Sequence, residues 1–107
     1  MSLFRSALVL CALAASSVAA AADLALLQAY GRDMGRAQRC GAVPAEVLLY
    51  SQLAKDLAET AGANAYEAFL AAGAAGRESQ PADCPATLAR FDAAMGEIYK
   101  HLGRSQD

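Results

Sequence analysis

The stretch AQRCGAVPAE, residues 37–46, closes one helix and opens the next. Gly41 is a C-terminal stop, because it takes the left-handed conformation that ends helices without a Cβ penalty. Pro44 suits the first turn of a following helix, where its missing N–H costs nothing. Working backward, Leu27, Tyr30, Met34 and Ala37 recur at helical spacing, so a first helix is expected over residues 24 to 39, with Asp23 as its N-cap. Working forward, Val47, Tyr50, Leu53, Ala54, Leu57 and Ala61 mark the apolar face of a second helix over residues 44 to 60, stopped by Gly62.

The segment NAYEAFLAAGAAG opens a third helix at Asn64 with Ala65, Phe69 and Leu70 able to face inward. Gly73 and Gly76 weaken it, each by about 1 kcal/mol relative to Ala in a helix interior, so its last turn is expected to fray. After the loop RESQPAD, a fourth helix starts near Cys84 and Pro85, and Leu88, Phe91, Met95, Ile98 and Leu102 keep a 3-4 repeat along it.

From residue 23 onward the chain holds twenty Ala and five β-branched residues, Val43, Val47, Thr60, Thr87 and Ile98. Helix propensity favours the first and sheet packing wants the second. The expected fold is all-α, a small antiparallel, up-down-up-down four-helix bundle with one disulfide, since short connections make antiparallel neighbours. A three-helix arrangement with an irregular third helix is the rival.

At the N-terminus Arg5 precedes the apolar run ALVLCALAA and the small-residue stretch SSVAAAAD. That order is the layout of a secretory signal peptide, with cleavage after Ala20 or Ala22. The apolar run is shorter than the roughly 20 residues a membrane span needs. Lipid attachment at Cys11 is disfavoured by Leu10, which stands where a small residue is required. The expectation is a cleaved signal peptide over residues 1–22 and a single helical domain over 23–107. That domain has 8 basic and 11 acidic residues, so its net charge is −3, which argues against nucleic acid and against a stable hold on anionic membrane.

Export explains the cysteines. Cys40 and Cys84 are the two left after processing, and an oxidising compartment keeps such a pair as a disulfide. In an up-down-up-down bundle they meet at one end, one closing the first helix and the other opening the fourth. A redox role wants the C-x-x-C spacing, whereas these lie 44 positions apart. A shared metal site fails because His101, the single histidine, lies about 25 Å of helix rise from Cys84. No metal and no cofactor is expected.

Other features carry chemistry weakly. Glu97 and His101 stand at i and i+4, a two-ligand pair without a third, and read as an ion pair near a helix end. Ser51, Ser79 and Ser105 lack a glycine-flanked nucleophile turn, so no catalytic residue is expected and the protein is read as a non-enzyme. Arg32, Arg36 and Arg39 recur at i, i+4 and i+7, opposite the apolar stripe of their helix. This is an exposed polar face or a docking strip for an acidic surface, since guanidinium forks bind carboxylates well. The third helix is smooth at Ala68, Ala71, Ala72, Gly73, Ala75 and Gly76. Such a face lets helices approach closely, or it forms a groove with Tyr66, Phe69, Gly73 and Gly76 as ligand contacts.

The expectation is an exported, non-enzymatic helical protein of the bacterial envelope, periplasmic or secreted. It would act by contact with another envelope or secreted protein, as an inhibitor, immunity-type protein or accessory subunit. The alternative is a carrier of a small apolar or anionic ligand in an interhelical pocket.

Overall fold

A computed structural model describes residues 24–103. The expected signal peptide and the Asp23 cap fall outside the described residues. Four helices make up the described chain: α1 over residues 24–39, α2 Pro44–Ala61, α3 Ala65–Glu78 and α4 Cys84–His101. Among the described residues no helix is long and apolar enough to cross a membrane.

The α1–α2 turn is built as its sequence dictates. Gly41 has φ +84°, the Ala42 N–H donates to the Ala37 carbonyl at 2.9 Å and the Gly41 N–H to that of Gln38 at 3.2 Å. These two bonds are the Schellman pattern, which satisfies carbonyls left over at a helix end. Pro44 follows in the first turn of α2. At the start of α4 the Asp83 carboxylate accepts the Ala86 N–H at 3.1 Å, and the Thr87 hydroxyl donates to the Asp83 carbonyl at 2.8 Å. That side-chain cap fixes where α4 begins.

Directions alternate along the chain. The Cys40–Cys84 disulfide joins the end of α1 to the start of α4, with the two Cα atoms 5.3 Å apart. Asp33 with Arg90, and Tyr30 with Glu97, continue that antiparallel pairing down the two helices. Against α3, by contrast, α1 runs parallel: Gly31 faces the Phe69 carbonyl and Gly35 the Gly73 carbonyl. A Cβ at either glycine would collide with α3 backbone, so only glycine permits this approach.

This contact decides the arrangement. α2 packs on both α3 and α4, whereas no Cα of α3 comes within 8 Å of one of α4. The helices therefore run around the bundle in the order α1, α3, α2, α4. Consecutive α1 and α2 meet across its short diagonal, where the Tyr50 hydroxyl donates to the Tyr30 carbonyl at 2.8 Å and the Ser51 hydroxyl to the Met34 sulfur at 3.2 Å. The glycines draw α1 onto α3, and the α3–α4 connection spans the other diagonal.

Tyr30, Tyr50, Phe69, Phe91, Leu27 and Ile98 are the largest fully buried side chains. Tyr50 stacks on Phe91 with centroids 4.7 Å apart and faces Phe69 at 6.2 Å, and Phe69 meets Tyr66 at 5.8 Å. One aromatic column thus ties α3, α2 and α4 together, each such pair contributing about 0.5–1.5 kcal/mol beyond area burial. The predicted stripe of α1 is buried throughout. In α3 the fraying expected at Gly73 and Gly76 does not occur: the helix is continuous to Glu78, and both glycines are buried. Leu70, expected to face inward, is 44% exposed, because the inward side of that turn is taken by Phe69 and Gly73.

Candidate functional site

The three strip arginines lie together on the outer face of α1, all exposed. Their geometry follows from helix periodicity: Gly31 and Gly35 turn toward α3, Asp33 and Cys40 toward α4, and Arg32, Arg36 and Arg39 point between those two neighbours into solvent. Among the described residues none of the three forms an ion pair or a side-chain hydrogen bond. The other arginines nearby are committed. Arg77 donates to the Gln38 side chain at 2.9 Å. Arg90 donates from Nε to Asp33 at 3.2 Å and forks onto both oxygens of Glu97 at 3.0 and 2.9 Å.

The Arg90 fork organises the α1–α4 seam. It holds the Glu97 carboxyl below the usual carboxylate range, and the Tyr30 hydroxyl, donating to the same carboxylate at 3.1 Å, adds to that. Burial, with the Glu97 charge beside it, pushes Tyr30 up to about 12. Burial raises Tyr50 further still. Both oxygens of Glu97 are thus engaged by Arg90 and Tyr30, and the sequence pairing of Glu97 with His101 is replaced by a contact of the His101 ring with Tyr30, centroids 6.5 Å apart. Among the described residues no three His, Cys, Asp or Glu side chains converge as metal ligands would.

A cleft of about 440 Å³ opens beside the strip, and periodicity gave no sign of it. Its walls are Asp33 and Arg36 of α1 and Ala86, Thr87 and Arg90 of α4, and the connection Ser79–Asp83 borders it as a strap, leaving it open to solvent. The diagonal crossing from α3 to α4 creates it, because the strap must pass outside α1. The strap's own polar groups are largely satisfied: the Ser79 hydroxyl donates to the Gly76 carbonyl at 2.7 Å, and Asp83 caps α4. What stays open to a visitor is the Arg36 guanidinium.

The groove positions fall apart spatially. Gly76 abuts the Arg32 backbone and Gly73 the end of Met34, while Phe69 is fully buried. Only Tyr66 borders open space, a shallow recess of about 310 Å³ with Lys55, Ala58, Glu59, Gly62 and Ala63, where the Lys55 ammonium stands 5.9 Å from the Tyr66 ring centroid.

No protein-family model matches the chain, and neither a curated protein nor a solved structure shows a match to it.

Proposed function

We propose that this is an exported helical binding protein of the bacterial envelope, periplasmic or secreted, that works by seating an acidic surface of another protein on Arg32, Arg36 and Arg39. The observation that carries this reading is a row of three guanidinium groups with no partner among the described residues, on a helix clamped on both sides. Clamping matters because it fixes the backbone that spaces the three side chains, so that binding has only their own rotamers to order, and Arg forks are suited to carboxylates. The disulfide supports export, since such bonds persist in oxidising compartments. An inhibitor, an immunity-type protein or an accessory subunit would use such a face.

The test replaces all three arginines with Ala and compares crosslinking in the native envelope. The variant is expected to keep its helical spectrum and thermal midpoint while losing the protein that the unaltered chain captures, identified by mass spectrometry. Equal recovery of that protein from both would remove the strip from consideration.

A further inference from the structure

We propose that Arg36 alone anchors this surface, by taking a carboxylate side chain of an acidic protein segment into the cleft beneath the α3–α4 strap; the inference rests on the protein-binding reading above. Arg32 and Arg39 belong to the same face but do not line the cleft, whereas Arg36 does. Binding energy concentrates where a seated partner shields a charged or aromatic group from water, and a guanidinium lining a recess is covered more fully by that partner than one on the convex rim.

The charges inside the cleft single out the same residue. Asp33 and Glu97 share Arg90, and the Asp83 carboxylate accepts the Ala86 N–H at the start of α4, where the helix N-terminus offsets part of its charge. Arg36 is the cation left without a partner among the described residues lining the cleft. Pro81, Ala82 and Ala86 give the cleft apolar wall beside it, and a segment seated against that wall would displace water and strengthen a guanidinium–carboxylate fork. About 440 Å³ is room for a side chain with part of its backbone, at the roughly 30 Å³ that one water takes up in the liquid.

The occupant is a protein segment rather than a small anion because the charge does not end at the cleft. Arg32 and Arg39 bracket Arg36 over about 10 Å of helix rise. A partner that fills the cleft with one carboxylate and carries others to either side satisfies all three; a lone phosphate reaches one.

The experiment uses the mature chain with its disulfide intact and an end-capped hexaglutamate peptide as probe, read by the arginine Nε–H resonances and by the backbone amides of Ala86 and Thr87. The expected result is saturable shifts at Arg36, Ala86 and Thr87. Arg36→Ala should weaken the peptide about tenfold or more and Arg36→Lys nearly as much, with Arg32→Ala and Arg39→Ala each within about threefold. Equal losses for the three single Ala variants would overturn the anchor, as would inorganic phosphate binding as tightly as the peptide, or shifts that never saturate. The two readings fail differently. A captured partner lost in the triple variant alongside equal single-variant losses sinks the anchor and leaves the protein-binding reading standing; a partner retained by the triple variant sinks both.

Discussion

At the scale of single residues the glycines of the α1–α3 contact separate into two kinds. A Cβ at Gly35 would run into the Gly73 carbonyl and stand 2.8 Å from the Arg77 nitrogen, and one at Gly76 would meet the Arg32 carbonyl. Both obstacles are backbone and cannot step aside. A Cβ at Gly73 meets the terminal methyl of Met34 at 3.0 Å, the far end of a flexible side chain. Helix propensity favours Ala over Gly by about 1 kcal/mol, and overpacking a tight contact costs about 3 kcal/mol. Gly35→Ala and Gly76→Ala are therefore expected to destabilise by about 2 kcal/mol, and Gly73→Ala to lie within about 1 kcal/mol of neutral, by urea denaturation. A larger loss at Gly73 than at Gly35 would contradict the parallel α1–α3 packing. The buried tyrosines give a second test. Tyr30 is raised from 10.0 to about 12, and Tyr50 is raised too, so the folded state holds these protons after the unfolded chain has released them. Their contribution to stability is complete below about pH 10 and is lost as pH rises toward 12 and beyond. Stability should fall with alkali from about pH 10 upward, with the phenolate absorbance of Tyr30 and Tyr50 at 295 nm, isolated in a Tyr66→Phe, Tyr99→Phe background, appearing together with loss of helical ellipticity; their full ionisation in a chain that stays folded would show the burial assignment to be wrong.

At the scale of elements the helices were legible because their signals are local. Gly41, Pro44 and Gly62 punctuate the chain by backbone geometry that depends on no distant residue, and the apolar repeats of α1 and α4 name the residues that prove buried or packed against the core. The third helix shows where local reading stops. Propensity counts Gly73 and Gly76 as losses, yet the close approach of α1 turns their missing side chains into contact area that holds the helix to Glu78. The partner of that contact, the Gly31–Gly35 pair, was in plain sight in the sequence, but spacing within one helix does not say which other helix it meets. The same limit hid the Asp33–Arg90–Glu97–Tyr30 network and the cleft. Arg32, Arg36 and Arg39 were found from their spacing alone, whereas the distinction of Arg36 depends on a strap that lies 43 or more positions further along the chain. Had the α3–α4 connection run between adjacent helices, it would not have crossed α1, and the three arginines would have been equivalent.

At the scale of the whole molecule the disulfide determines whether that strap stays in place. Cys84 is the first residue of α4 and directly follows the strap, and Cys40 immediately follows α1, so the bond holds the strap's end beside α1. Closing a loop of 44 residues stabilises the fold by about 4 kcal/mol in the chain-entropy account. A domain of this size has a total stability of only about 4–12 kcal/mol, so the bond supplies a third of it or more. Replacing both cysteines with Ser is expected to lower the denaturation free energy by about 4 kcal/mol and to raise the slope against urea slightly, because the unfolded chain freed of its closed loop exposes more surface. A loss under about 1 kcal/mol would mean the helix packing alone sets the ends of α1 and α4 side by side. Binding supplies the finer distinction. With conditions chosen so that the Cys40→Ser, Cys84→Ser chain remains folded, hexaglutamate should still bind more weakly than to the oxidised protein, since a strap released at Cys84 no longer holds a wall beside Arg36; unchanged affinity would show that the cleft is shaped by the Asp33–Arg90 seam rather than by the disulfide.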